Sequence, residues 1–185
     1  MKYKLLYEVV VRDPKGKVTF REKGKSRSFL KQWNELLYAH MTSLSLNIRS
    51  TTNVNNSASE NAISWKAIPT SSYGLQLGTD DTAVDISDYK LGAEIVNGYT
   101  AGTMFREAAD TVLPVVAGNK CSWKANRTFV NWSGGDITVR EMGLVCAYYS
   151  GGTKYMQATR DVFITPLLVV YGGGVVGEYT LEVEA

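Results

Sequence analysis

The residues of this 185-residue chain whose types could do chemistry are few and scattered. His40 is the single histidine, so any Ser/His/Asp or Cys/His arrangement must use it. It recurs at helical spacing with Phe29, Trp33, Leu36, Leu37, Met41 and Leu44. That places it on an apolar stripe with no carboxylate or thiol fixed beside it, the setting of a packed or interfacial histidine. Asp80, Asp81, Asp85 and Asp88 gather four carboxylates in one polar stretch. Their spacing is not that of an EF-hand loop and no glutamate closes it, so solvation and turn capping are expected, not a cation site. Glu107, Asp110 and Glu141 are of the type paired in glycoside cleavage, yet nothing in their spacing sets two across a cleft. Glu141 is expected to be structural, bonded to a loop or to Arg127 or Arg160. Gly172-Gly173-Gly174 opens no helix bearing Lys-Ser/Thr and so is no phosphate loop. Cys121 and Cys146 lack a Cys-x-x-Cys partner for zinc. They read as two buried thiols acting as small apolar residues. The expectation is a protein that is not an enzyme, with no cofactor and no metal site.

Binding chemistry is better represented. Residues 1–31 hold ten Lys/Arg and three acids, a net +7, while the remainder is net −5. The cations Lys15, Lys17, Arg21, Lys23, Lys25 and Arg27 mark a basic hairpin. Such a segment protects an edge strand, or meets an acidic flank of a second subunit. Nucleic acid is not the expected partner, since no aromatic-interleaved RNA motif or zinc finger accompanies the charge. Trp33, Leu37 and Met41 are candidate assembly residues if their helix faces a neighbour. Trp132, Tyr148, Tyr149 and Tyr155 are candidate stacking platforms for a sugar.

The elements that must position these residues are mostly strands. Tyr3–Val11, the turn Asp13-Pro14-Lys15-Gly16 and Lys17–Glu22 form an N-terminal hairpin. Ser28 is placed to cap one amphipathic helix running to about Leu44. Asn47–Asn61 is mostly Ser, Thr and Asn, too polar to cover apolar surface, and is expected to be an exposed loop or an arm ordered by a neighbouring subunit. Further on, 121–132 and 137–148 flank Ser133-Gly134-Gly135-Asp136. Read as a hairpin, this sets Trp123 opposite Cys146, Arg127 opposite Met142 and Phe129 opposite Arg140. Cys121, Trp123, Phe129, Met142, Leu144 and Cys146 then share a core face. Ser150-Gly151-Gly152-Thr153 reverses the chain again, with Tyr148 facing Tyr155. Tyr171–Val175 reverses it a third time into Gly177–Glu184, where Tyr179, Leu181 and Val183 alternate with polar residues. On this reading the C-terminal third is a meander.

The string Asn131-Trp132-Ser133-Gly134-Gly135-Asp136-Ile137-Thr138-Val139-Arg140-Glu141-Met142-Gly143-Leu144 resembles a segment of structural proteins of tailed-bacteriophage virions. In those proteins an Asn-x-Ser-Gly turn precedes Ile-Thr-Val-x-Glu-x-Gly-Leu. Ala158-Thr159-Arg160-Asp161-Val162-Phe163, followed by a Gly turn and a terminal strand, is similar to their ending. Leu75-Gln76-Leu77-Gly78-Thr79-Asp80-Asp81-Thr82-Ala83 resembles their Gly-Thr-rich loop, with Asp80 where a second Gly is common. The resemblance spans roughly residues 73–185. It implies a virion structural protein that is a decoration, neck or tail component and partners itself and other virion proteins. It would be made in the host cytoplasm without a signal peptide and carried in the virion.

The expected fold is mainly β: a jelly-roll-like β-sandwich of about eight strands with an N-terminal β-hairpin and one amphipathic helix. Its organisation is hairpin plus helix over 1–47, a Ser/Asn-rich loop or arm over 48–72 and the sandwich core over 73–185, all in one compact domain. No apolar run approaches the roughly 20 residues of a membrane helix. The alternative functions are a carbohydrate-binding module and a small hydrolase, the latter requiring His40 or a carboxylate pair in a pocket.

Overall fold

The computed structural model describes residues 2–26, 29–42, 46–58, 64–65 and 67–184, with the side chains of Lys2 and of residues 40–42 outside that description. The N-terminal hairpin forms as the sequence predicts, from β1 (Lys2–Arg12) and β2 (Val18–Ser26). Its turn is held by the Asp13 carboxylate, which accepts the amides of Lys15 and Lys17 at 2.9 Å. Helix α1 (Lys31–Thr42) follows, then β3 (Leu46–Arg49), β4 (Asn55–Ala58), β5 (Gly74–Gly78), β6 (Phe105–Arg106) and β7 (Asp110–Ala117). The chain ends in four long strands' worth of sheet, β8 (Lys120–Val130), β9 (Ile137–Tyr149), β10 (Thr153–Val169) and β11 (Gly174–Glu184).

These strands form a mainly β sandwich of unequal layers. One sheet has six strands in the order β2-β1-β11-β8-β6, with β7 also on β8; the other has three in the order β10-β9-β5. One core cluster joins them, taking Leu5, Val9, Phe129, Val175 and Tyr179 from the larger sheet and Leu75, Leu77, Met142, Leu144 and Cys146 from the smaller. The layers approach so closely that a Cβ at Gly177 would lie 2.8 Å from Met142 Sδ. The outer face of the larger sheet is wet and laced with ion pairs, Lys4 to Glu182 and Glu184, and Lys124 to Glu178. The smaller sheet is covered on both faces, so β9 is buried without a break from Glu141 to Tyr148. Helix α1 packs on β10 and β3, and the loop after β5 closes over the rest.

The Ser133–Asp136 turn does not close a hairpin. Strand β8 pairs with β11, β6 and β7, whereas β9 pairs with β10 and β5. The turn is an arch that carries the chain from one sheet to the other, so Phe129 and Met142 meet across the core and not along a ladder. The Tyr171–Val175 turn is a second such arch, which removes the meander. Asn131, fully buried, fixes both arches. Its Nδ2 donates to the carbonyls of Gly135 and Val169, its Oδ1 accepts the Ser133 amide and hydroxyl, and its backbone bonds Gly172 and Gly173. Gly134, at φ 87°, supplies the left-handed residue the first arch needs. Only the middle reversal is a hairpin, and its register differs by one from the expected: Tyr148 faces Lys154 and Tyr155 faces Ala147. The turn there tightens through the Ser150 amide donating to Gly152 O.

Two further expectations are corrected. The helix buries Gln32, Leu36 and Ala39 and half-buries Trp33, while Leu37 is exposed beside Tyr38. The stripe is turned because Leu30 anchors the start of the helix, its amide donating to Ala158 O on β10. The Ser28 cap lies outside the described residues. The polar segment is not an arm up to Ala58, because β3 and β4 pair as a two-stranded ribbon. It is ordered from within the chain, by the Thr51 amide on Tyr155 O and the Ser150 hydroxyl on Ser57 O.

Candidate functional site

Residues from three separate segments, the loop after β5, β9 and β10, converge on one buried ionic cluster. Strand β9 points Glu141 out of the smaller sheet, and β10 brings Arg160 beside it, Nε to Oε2 at 2.7 Å. The loop after β5 folds back over both. Asp80 and Asp88 each accept from Arg160 at 2.8 Å, and Thr82 O accepts at 3.1 Å. The two Glu141 oxygens also accept the amides of Gly92 and Ala93. Glu141 and Arg160 are 0% and 3% exposed. Burial opposes the Arg160 charge, and the carboxylates of Glu141 and Asp88 outweigh it and raise the pKa. The space is tight enough to demand glycine: a Cβ at Gly78 would lie 2.3 Å from Glu141, and one at Gly92 would lie 2.0 Å from Asp80.

Chemically the cluster is a clasp. Both oxygens of Glu141 are held by donors, Oε2 by Arg160 and Gly92 and Oε1 by Ala93. Of the four aspartates, Asp80 and Asp88 neutralise Arg160, Asp81 pairs with Arg140 at 2.7 Å, and Asp85 accepts the Ser87 amide and hydroxyl. Those bonds to Ser87 hold the Asp85 carboxyl below its usual range. Among the described residues no group of three His, Cys, Asp or Glu is placed to hold a metal. Glu107 and Asp110 lie by β6 and β7 of the larger sheet, so neither forms a pair with Glu141. The side chain of His40 lies outside the described residues.

A second buried cation makes no ion pair among the described residues and is held by backbone carbonyls. Arg127, 0% exposed on β8, donates to five backbone carbonyls: Glu107, Tyr73, Leu75, Ile68 and Pro69, at 2.8 to 3.2 Å. It ties the segment before β5 and the segment before β7 to the core. Burial, then the charge of Arg106, lowers its pKa to about 10. The core face expected from the sequence did not include Arg127, although its alternation with Trp123 and Phe129 was a signal that could have placed it there.

The surface feature that sequence reading missed is β7. All eight of its residues are exposed, with Val112 at 43%, Leu113 at 83%, Val115 at 57% and Val116 at 74%. It has β8 as its one ladder neighbour among the described residues, and a bulge lifts Leu113 and Pro114 off that ladder. The signal was legible: a run of β-formers interrupted by proline is an edge strand. Beneath it lies an apolar groove of about 450 Å³, lined by Trp33, Trp65, Val112, Leu113, Pro114 and Trp123. Its floor is an aromatic stack, Trp65 on Trp123 at 4.7 Å and Trp33 on Trp65 at 5.3 Å. The Trp65 indole N–H donates to Cys146 Sγ. Burial pushes the Cys146 thiol well up. Cys121 is exposed, not buried as expected, and both cysteines are free. Cys121 lies near the start of β8, between Val116 of β7 and Val183 of β11.

The basic hairpin is the opposite edge of the same sheet. Lys15, Lys17 and Lys25 are exposed, and Arg21 and Lys23 share Glu8 at 3.4 and 2.9 Å. Arg27 lies outside the described residues, as do the side chains of Met41 and His40. Trp33 belongs to the groove, whereas Leu37 is exposed. The four aromatic candidates do not gather on one platform, although Tyr149 and Tyr155 are diagonal neighbours on one face of β9 and β10. Tyr148 is 2% exposed and so is core, because β9 is covered on both faces. Trp132, edge-on to Tyr171 at 6.1 Å, precedes β9, and Tyr149 ends it, roughly 40 Å away along the strand. Tyr155 stacks on Tyr73 at 5.8 Å. No described helix is long and apolar enough to cross a membrane. Comparisons with protein-family models, curated proteins and solved structures give no match.

Proposed function

We propose that this chain is a structural protein of a tailed-bacteriophage virion, one that assembles with copies of itself, docks on capsid, neck or tail, and catalyses no reaction. Its partners on this reading are itself and other virion proteins, and its place is the virion. The resemblance supports it through Asn131, Glu141, Arg160 and the Asp80 loop, which are spent on holding arches and a loop to the sandwich. Residues used in that way stiffen a building block; they do not bind or turn over a substrate.

The observation that carries self-assembly is β7. An edge strand that holds four apolar side chains 43–83% exposed marks a surface for a protein neighbour. For the sugar-binding alternative, Tyr148 is core and Trp132 lies at the other end of β9, which leaves Tyr149 and Tyr155 as the two candidates that share a face. Light scattering of the purified protein at several concentrations and two salt levels tests the reading. A defined ring-sized oligomer is expected, and Leu113→Lys combined with Val116→Lys should leave a folded monomer. Both positions are exposed, so folding stability should change by no more than about 0.5 kcal/mol. A wild type that stays monomeric at every concentration would sink self-assembly.

A further inference from the structure

Beside the Glu141 clasp, the outer face of the smaller sheet holds a cleft of about 370 Å³, within the range of about 300–1,000 Å³ common for ligand sites. Its walls come from three segments: the turn after β3 with Thr51, the stretch before β5 with Ser72, and the loop after β5 with Lys90 and Leu91. The Thr51 amide donates to Tyr155 O at 3.0 Å, which holds that turn against β10. The floor carries two glutamines, Gln76 of β5 and Gln157 of β10, each 1% exposed. Gln76 sits across the ladder from Gly143, and a Cβ at Gly143 would lie 2.2 Å from Gln157 Nε2. The glycine thus makes room for a buried amide. Gln157 Nε2 donates to Thr159 O at 2.5 Å, and Gln76 Nε2 donates to Tyr73 O at 3.3 Å. Gln76 Oε1 accepts no hydrogen bond from the described residues. A buried amide oxygen in a cleft wall calls for a donor from whatever occupies the cleft.

We infer that this cleft binds a neutral sugar ring, such as the terminal residue of a glycan. A sugar hydroxyl both donates and accepts, so one can donate to Gln76 Oε1 while others accept from the Thr51 and Ser72 hydroxyls and the Lys90 ammonium. Leu91, Val145 and Tyr155 give the cleft apolar surface for the C–H face of the ring. Tyr155 is held for that contact by stacking on Tyr73, the ring planes 13° apart. A wholly apolar ligand would leave the Gln76 oxygen without a donor. An anion would meet that oxygen and the Glu94 carboxylate, which lines the same cleft and bonds Arg106 at 2.8 Å. Of the aromatic residues that suit a sugar by type, Tyr155 is the one that lines this cleft, and the two glutamines complete it. The site adds a binding function to the structural role proposed above and uses no residue of the β7 edge.

The test is an NMR titration of the isotope-labelled protein with glucose, galactose, N-acetylglucosamine and N-acetylgalactosamine at millimolar concentration. It is repeated on Gln76→Met, which removes the amide oxygen at similar volume, and on Ser72→Leu, which narrows the mouth at an exposed position. Circular dichroism melts check that both variants fold, and Ser72→Leu carries the test if Gln76→Met does not. At least one sugar should shift the side-chain amide signals of Gln76 and Gln157, and each variant should weaken its binding about tenfold or more. No shift from any of the four sugars, with the cleft left to water alone, overturns the inference. So does a sugar whose shifts centre elsewhere, or whose affinity is unchanged in both variants. None of these results depends on the oligomeric state, so failure here is distinct from failure of the self-assembly reading.

Discussion

Replacing Arg160 with leucine tests whether the motif-bearing residues hold the fold together. The substitution removes the one cation shared by Glu141, Asp80 and Asp88. The side chains of Asp80 and Asp88 are about a quarter exposed, at 27% and 26%, so water can take over their solvation and each pair is worth about 1 kcal/mol or less. Glu141 cannot be rescued in that way. It is 0% exposed and keeps only the amides of Gly92 and Ala93, at 3.2 and 2.9 Å. Stranding a buried charge costs about 3–5 kcal/mol, and that cost should dominate. For a chain of this size the melting temperature should fall by about 6–20 °C. Urea unfolding followed by circular dichroism gives the free energy, and hydrogen exchange at Ala93 reports the loop directly. Adding Glu141→Gln to Arg160→Leu removes the stranded charge and should recover about 1–3 kcal/mol. If Arg160→Leu lies within about 1 kcal/mol of wild type, or the second change recovers nothing, the clasp is not what holds the loop.

Arg127→Met should cost about 3–5 kcal/mol, because five carbonyls lose their donor together, and Arg127→Lys should rescue little since an ammonium cannot span five acceptors. Tyr179 is fully buried, and burial with the nearby Asp161 charge raises its phenol well above the usual 10.0. The unfolded phenol ionises above about pH 10 while the folded one keeps its proton, so stability is complete below that pH and falls as pH rises. Urea midpoints from pH 8 to 11 should decline less in Tyr179→Phe than in wild type; Arg127, lowered to about 10, acts in the opposite sense but cancels in this comparison. Gly143→Ala should cost about 1–3 kcal/mol, since its Cβ would lie 2.2 Å from Gln157 Nε2 and 2.7 Å from Thr159 O, whereas Gly135→Ala, with nothing within 4 Å, should be neutral in the same melts.

The clasp was half legible. Glu141 was expected to bond a loop or an arginine, and it bonds both, because an acid between apolar strand residues must find donors if its face is covered. That the donors come from Arg160 and from amides 48 and 49 residues away could not be read, since spacing says nothing about which loop folds back. The aspartates of that loop were assigned to solvation for the same reason. The β7 edge was written in Thr111-Val112-Leu113-Pro114-Val115-Val116, but exposure of a strand depends on whether a second layer lies over it.

The sequence by itself determined the β class, the N-terminal hairpin, the single helix and the inward set Phe129, Met142, Leu144 and Cys146. Those follow from side-chain alternation, turn residues and local spacing, which act over a few residues. Only the tertiary structure decided which strands pair. A strand's alternation says which residues face the core but not which strand lies beside it, so Ser133-Gly134-Gly135-Asp136 suits a hairpin or an arch equally well. The choice was made by Asn131 reaching Val169 across 38 residues, and by β11 lying between β1 and β8. Burial of two cations was settled in the same way: Arg127 and Arg160 are tolerable inside only because distant backbone and distant carboxylates converge on them.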